Sequence, residues 1–91
     1  MKTKYPTPAK AIHPGEILLD ELEAREISWK EFAIKSKIQP DQLNEIIKGK
    51  QGITVEYSIL IGRALEMEPI IWQNLQKLYE LDQDEIIRSW K

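Results

Sequence analysis

The sequence predicts an all-α domain of about five short helices, and three observations predict it. Apolar residues recur at helical spacing rather than alternating. Helix-start signals recur at short intervals, each a capping residue or a proline at a first helical position. No stretch alternates apolar and polar residues as a half-buried strand does.

The segment before the first helix, residues 1–11, carries Pro6 and Pro8 and little apolar content, and reads as a flexible arm. His13-Pro14-Gly15-Glu16 opens the first helix. Pro14 suits the first helical position, where a missing N–H is harmless. Glu16 is placed to reach back to the His13 N–H in a capping box. Ile17, Leu18 and Leu22 supply the apolar face, with Leu19 beside it.

Ser28-Trp29-Lys30-Glu31 opens the second helix. Ser28 caps, Glu31 returns the bond, and Ile27 staples against Phe32. Phe32 and Ala33 face inward, Ile34 lies at the margin, and the helix ends near Ser36. Pro40 follows Gln39 in the first turn of the third helix, where Ile38 staples against Leu43. Leu43, Ile46 and Ile47 form its stripe, and Gly49 stops it. Thr54 caps the fourth helix, with Val55, Ile59, Ile61 and Leu65 as its apolar set and Gly62 allowing a close approach. Glu68-Pro69 opens the fifth, with Ile71, Trp72, Leu75, Leu78 and Tyr79 expected on one side. Residues 82–91 form a tail, read as a further turn or two of helix, with Ile86, Ile87 and Trp90 as apolar residues. The helical domain is thus expected over residues 12–81.

Composition bounds what such a domain does. A chain of 91 residues is near the small end for a self-sufficient core, so burial against a partner would help it. It has no cysteine, which excludes disulfides and cysteine-ligated metal and is compatible with a reducing cytoplasm. No apolar run approaches a membrane span, and the first residues lack the apolar region of a signal peptide. A cytoplasmic location without membrane contact is therefore expected. The net charge of −2 argues against general adhesion to nucleic acid. Charge is nevertheless uneven. Residues 16–26 hold Glu16, Asp20, Glu21, Glu23 and Glu26 against Arg25, whereas residues 28–51 hold Lys30, Lys35, Lys37, Lys48 and Lys50 against Glu31, Asp41 and Glu45.

The second and third helices, joined by a turn of a few residues, have helix-turn-helix spacing. If the third helix enters a major groove, its N-terminal residues face base edges. Asp41, Glu45 and Lys48 point outward, flanked by Gln42 and Asn44. Glutamine can bond adenine, and an acid can accept from cytosine N4. Lys48, Lys50 and Gln51 stand at the exit, where contacts to phosphates position a protein without specifying sequence. A purely structural account also exists. Asp41 suits the positive end of the helix dipole, and Glu45 can pair with Lys48 one turn on.

No catalytic constellation accompanies this. His13, the single histidine, has Glu16 near it but no nucleophile or second base, so an enzyme is not expected, nor is a cofactor or metal. Leu60 and Ile70 fall outside the core stripes. With Ile86, Ile87 and Trp90 they suggest a surface for a dimer or another partner.

Three ordered stretches resemble a known family: HPGEIL (His13–Leu18), EIIKGKQGIT (Glu45–Thr54) and GRALEMEPIIWQNLQKLYEL (Gly62–Leu81). In content and separation they resemble the HigA antitoxins, of the Xre or lambda-repressor-like helix-turn-helix class. The resemblance implies a five-helix domain that dimerises and binds double-stranded operator DNA of its own operon as a repressor. It also implies a RelE-like toxin partner, a ribosome-dependent mRNA-cleaving enzyme that the antitoxin neutralises. It places Gln39, Asp41, Gln42 and Glu45 at base-facing positions and Lys48, Lys50 and Gln51 in the basic loop. Three positions depart from the family pattern. Trp29 stands where a phosphate-binding glutamine is usual, and Lys37 and Glu66 stand where glycines usually end helices. The alternative to a DNA-binding antitoxin is a protein-interaction module on the same fold with little DNA affinity.

Overall fold

A computed structural model describes residues 10–89. Most of the expected arm, residues 1–9, and Trp90 lie outside the described residues. Five helices follow one another: α1 Pro14–Ala24, α2 Trp29–Ser36, α3 Pro40–Ile47, α4 Val55–Leu65 and α5 Pro69–Ser89. No strand occurs among the described residues.

The helix starts follow local chemistry. The His13 ring accepts from the Gly15 N–H at 2.8 Å, and the His13 N–H donates to the Glu16 carboxylate at 3.3 Å. Ser28 accepts from the Glu31 N–H at 3.2 Å while Glu31 takes the Ser28 N–H at 3.1 Å. This reciprocal bond holds the Glu31 carboxyl below the usual range, the Ser28 N–H contributing most. Thr54 caps α4 by accepting from the Tyr57 N–H.

The helix ends are less ordinary. Glu26, Lys37 and Glu66 adopt φ of 57°, 65° and 57°, in the left-handed region that favours glycine. The two expected departures, Lys37 and Glu66, therefore keep the family-like turn geometry at a steric cost, and Glu26 adds a third. After α1 and α4 the turn recovers orphan carbonyls: Ile27 N–H donates to Leu22 O and Met67 N–H to Gly62 O. At Gly62 a Cβ would meet the Met67 carbonyl at 2.6 Å, so the close approach expected there is made by the turn into α5.

The core is contributed by every helix. Leu18 and Leu22 of α1, Phe32 and Ala33 of α2, Leu43 and Ile46 of α3, Ile61, Ala64 and Leu65 of α4, and Trp72 of α5 are buried, with Ile38 and Ile53 from the connections. Each large side chain contributes about 2 kcal/mol by leaving water.

Two expected apolar faces are corrected. On α4, Val55 is 62% exposed and Ile59 is also exposed, while Ser58, Ile61, Gly62 and Leu65 turn inward. At 3.6 residues per turn, the pair Val55/Ile59 lies about 120° from Ile61/Leu65, so the four never shared a face. On α5, Trp72 is buried with Leu75 and Tyr79 half-buried behind it, but Ile71 and Leu78 face solvent. Ile34, expected at the margin of the core, is 81% exposed. Helix α5 does not stop at Leu81; it runs unbroken to Ser89. No described helix is long and apolar enough to cross a membrane.

Candidate nucleic-acid interface

Helix α3 is seated by Leu43 and Ile46, both fully buried, and its remaining faces follow from that. Asp41 and Lys48 are exposed on the far side, Gln42 is exposed on the flank toward α4, and Asn44 and Glu45 are half-buried. Gln39 precedes the helix, exposed and in an extended conformation, without a side-chain cap. Asp41 lies in the first turn, near the positive end of the dipole. The structure thus brings Gln39, Asp41, Gln42, Glu45 and Lys48 onto one surface.

The expected pairing of Glu45 with Lys48 does not form. Ion pairs among the described residues are Lys10–Glu16, Glu21–Arg25 and Asp84–Arg88. An exposed pair is worth well under about 1 kcal/mol before the entropy of fixing two side chains, so the absence is unsurprising. Among the described residues, Lys48 is left without a carboxylate partner.

Entry to α3 is local. The chain leaves α2 through Lys37, and the Ile38 N–H donates to the buried Ser36 hydroxyl at 3.3 Å. Exit from α3 is a glycine turn. Gly49 takes φ 77°, its N–H donates to Ile46 O at 3.0 Å, and the Lys50 N–H donates to Glu45 O at 2.9 Å. The Gln51 N–H shares the Glu45 carbonyl at 3.2 Å. Lys48 and Lys50 are exposed on this turn and Gln51 is half-buried. An exposed, unpaired lysine pair beside a polar helix face is chemically suited to phosphates, which accept and carry negative charge.

Trp29 opens α2 half-buried, packed against the edge of the core, with the Lys30 ammonium 5.9 Å from its ring centroid. Its ring therefore serves packing and a cation contact rather than the hydrogen bonding of an amide.

Three residues that the sequence reading did not assign to this surface act on it. The Tyr57 hydroxyl of α4 donates to Gln42 Oε1 at 3.4 Å. His13, read only as a cap, is buried at 6% exposure, with its ring edge on Tyr79 at 4.7 Å between centroids and its side chain beside Gly49. Burial lowers the His13 pKa, opposed by the Glu16 carboxylate and a hydrogen bond with the Gln51 backbone. Gln76 of α5 accepts the Ile53 N–H at 2.8 Å. These contacts join residues far apart in the chain, and no local pattern announces them.

Of the residues expected to form a partner surface, Trp90 lies outside the described residues and the other four are not gathered together. Leu60 is half-buried against the core, Ile86 lies on the inner stripe of α5 with Trp72 and Tyr79, and Ile87 is exposed on a different side from Ile70. Ile70 instead shares the outer side of α5 with Ile71, Leu78 and Leu81, all exposed. Residues that fail to fit a core stripe need not lie side by side.

No family model matches the chain. Curated relatives do. An HTH-type transcriptional regulator of Escherichia coli (strain K12), YddM, is 31% identical over 72 residues, covering 79% of this chain and 77% of the regulator. Virulence-associated protein I of Dichelobacter nodosus is 35% identical over 72 residues, covering 78% and 67%. Among solved structures, PA4674 of Pseudomonas aeruginosa in complex with its operator DNA superposes with a TM-score of 0.79 at 35% identity, covering 85% of this chain and 84% of that one. The antitoxin HigA of Pseudomonas aeruginosa with the higBA promoter gives a TM-score of 0.81 at 33% identity, covering 88% of each. An addiction module antidote protein of the HigA family from Coxiella burnetii gives 0.77 at 29% identity, covering 81% and 82%. With the motif order, the five-helix fold and these relatives in agreement, the chain belongs to the HigA family of antitoxins, within the helix-turn-helix class.

Proposed function

We propose that the chain is a sequence-specific DNA-binding antitoxin that represses its own toxin–antitoxin operon and neutralises a RelE-like, mRNA-cleaving toxin. The observation that carries the DNA half is the surface of α3: exposed Gln39, Asp41 and Gln42 at its N-terminal end, and unpaired Lys48 and Lys50 at its exit. In that arrangement Gln42 and the acids read base edges, while Lys48, Lys50 and Gln51 hold phosphates. Two relatives of the same fold are bound to operator or promoter DNA, which supports the reading. The toxin half rests on family membership. The protein acts as a dimer, with Ile70, Ile71, Leu78 and Leu81 of α5 as the surface that a second copy covers. On this reading it is a regulator and not an enzyme, working in the cytoplasm.

A mobility-shift titration against the DNA upstream of its own gene tests this. Salt-sensitive, sequence-dependent binding is expected. Lys48→Ala should weaken binding to all sequences and flatten the salt slope by about one unit, whereas Gln42→Ala should relax preference at one base pair, by roughly 1–3 kcal/mol. Identical behaviour of the two variants would refute the docking of α3.

One observation favours a second reading, an interaction module with little DNA affinity. Trp29 occupies the start of α2 with a packed ring where an amide is usual, in a chain of net charge −2. Retention of a small basic protein in a pull-down, with no retention of DNA, would select that reading.

A further inference from the structure

The loop between α3 and α4 carries Lys48 and Lys50; its first half is bonded back to the Glu45 and Ile46 carbonyls of α3, and its second half, Gly52 and Ile53, is held by α5. We propose that Gln76 of α5 is a positioning residue for the nucleic-acid interface: its amide pins this loop in the geometry that meets phosphates. The inference rests on the DNA-binding reading and deepens it by naming a group outside the helix-turn-helix on which phosphate binding depends.

The partners of the amide admit one orientation. The Ile53 backbone N–H can only donate, and it donates to Gln76 Oε1 at 2.8 Å. The Glu80 carboxylate, when ionised, can only accept, and it takes a hydrogen from Gln76 Nε2 at 2.9 Å. Oxygen toward Ile53 and nitrogen toward Glu80 is therefore set by chemistry at both ends. The bond to Ile53 spans 23 residues and is partly buried, so it is a tertiary fastening and not a local turn. The amide also lies directly against the loop: a Cβ at Gly52 would come within 2.9–3.1 Å of its atoms.

A second contact from the same helix holds the other end. Tyr79 packs its ring against His13, and the His13 ring stands beside Gly49. Helix α5 thus bears on Gly49 through His13 and on Gly52 and Ile53 through Gln76, adding to the bonds that tie Lys50 and Gln51 to α3. The lysines project from a loop that is already ordered, so DNA binding does not have to supply its ordering entropy. A carboxamide accepts at its oxygen and donates at its nitrogen, which an alkyl chain cannot do.

The experiment compares wild type, Gln76→Ala, and the double exchange Gln76→Glu with Glu80→Gln, all in the full chain. The double exchange keeps an oxygen acceptor facing Ile53 and returns a donor from the neighbouring position. Binding to an operator duplex is measured by fluorescence anisotropy across salt, and amide hydrogen exchange is followed at Ile53. Gln76→Ala is expected to raise the dissociation constant on the order of tenfold and to flatten the salt slope by about one unit for each phosphate that the loop no longer reaches. The Ile53 amide should lose its protection while core amides in α1 and α4 keep theirs. Base preference should stay as in wild type, and the double exchange should restore affinity, slope and protection. Wild-type affinity and slope in Gln76→Ala overturn the inference, as does a double exchange that folds but restores nothing. A wild-type chain that binds no operator at any salt is a separate failure: it removes the DNA-binding reading, and this role with it.

Discussion

Helix α3 is entered through the turn after α2 and left through the loop before α4, and each connection contains one residue in the left-handed region: Lys37 at φ 65° and Gly49 at φ 77°. The entry is secured from within, by the Ser36 hydroxyl taking the Ile38 N–H, and Lys37 itself faces water. The exit is bonded back to Glu45 and Ile46 of α3 and is also braced from outside. Gly15 of α1 packs on the Ile46 carbonyl, His13 lies beside Gly49, and Gln76 of α5 holds Ile53. The contrast shows where order is concentrated. The turn that only redirects the chain tolerates a lysine in a strained conformation, whereas the turn that presents lysines is glycine-built and braced by two other helices.

Breaking the brace should cost most. At Gly15 an added Cβ would overlap the Ile46 carbonyl, which is backbone and cannot rotate away. Gly15→Ala must therefore push α1 from the last turn of α3, and a loss of about 3 kcal/mol is expected in urea unfolding. A loss below about 1 kcal/mol would show that the two helices separate easily and that the exit is not braced from α1. Gly49→Ala should cost less, about 1–2 kcal/mol, since a Cβ there meets the His13 ring only at an ordinary 3.6 Å and the penalty is that of the backbone alone. If Gly49→Ala proves as costly as Gly15→Ala, the space beside His13 is tighter than its distances imply.

These two glycines also mark the limit of what the sequence disclosed. Gly49 was legible as a stop because a helix end is a local event, and so were His13, Ser28 and Thr54 as caps, each bonding within three residues. The seating of α3 by Leu43 and Ile46 was legible from spacing, and with it the exposure of Asp41 and Lys48 with Gln42 on the flank, whereas Glu45, expected outward too, is half-buried. Contacts across the chain were not. The Tyr57–Gln42 bond spans 15 residues and the Gln76–Ile53 bond spans 23, and neither leaves a periodic trace. Apolar faces failed where a helix has two of them. Helix α5 buries Trp72 yet exposes Ile70, Ile71, Leu78 and Leu81, so residue type alone cannot say which side meets the core.

Acid offers a graded way to loosen the exit without mutation. Folding holds the His13 pKa below its ordinary value of 6.5, chiefly by burial. The unfolded chain therefore binds that proton first, and stability is fully present above the unfolded pKa and falls as pH drops through it toward the folded one. Protonation also converts Nδ1 from the acceptor of the Gly15 N–H into a donor, which removes the cap. The melting temperature should decline from about pH 7 downward, before carboxylates such as Glu31, whose folded pKa lies below 4.5, begin to titrate. His13→Asn keeps a capping acceptor and cannot titrate, so its stability should be flat over that upper window. An equal decline in His13→Asn would assign the effect to another group.

The entry turn gives the smallest effect and the opposite sign. The Lys37 side chain is exposed, and its backbone conformation is one that glycine adopts freely. Lys37→Gly relieves the steric strain of a left-handed non-glycine residue but gives the unfolded chain more freedom, and the balance should stabilise the fold by about 0.5–1 kcal/mol. The same exchange at Glu66 should help by a similar amount, because the Met67 N–H to Gly62 carbonyl bond is already made and needs no new geometry. Thermal unfolding of the two single variants and their double decides the matter. Each turn caps the C-terminal end of its own helix, and turns that share no partner should give additive gains. A loss of stability in Lys37→Gly would mean that the lysine stem supports the turn, and the contrast between a strained, free entry and a relaxed, braced exit would no longer hold.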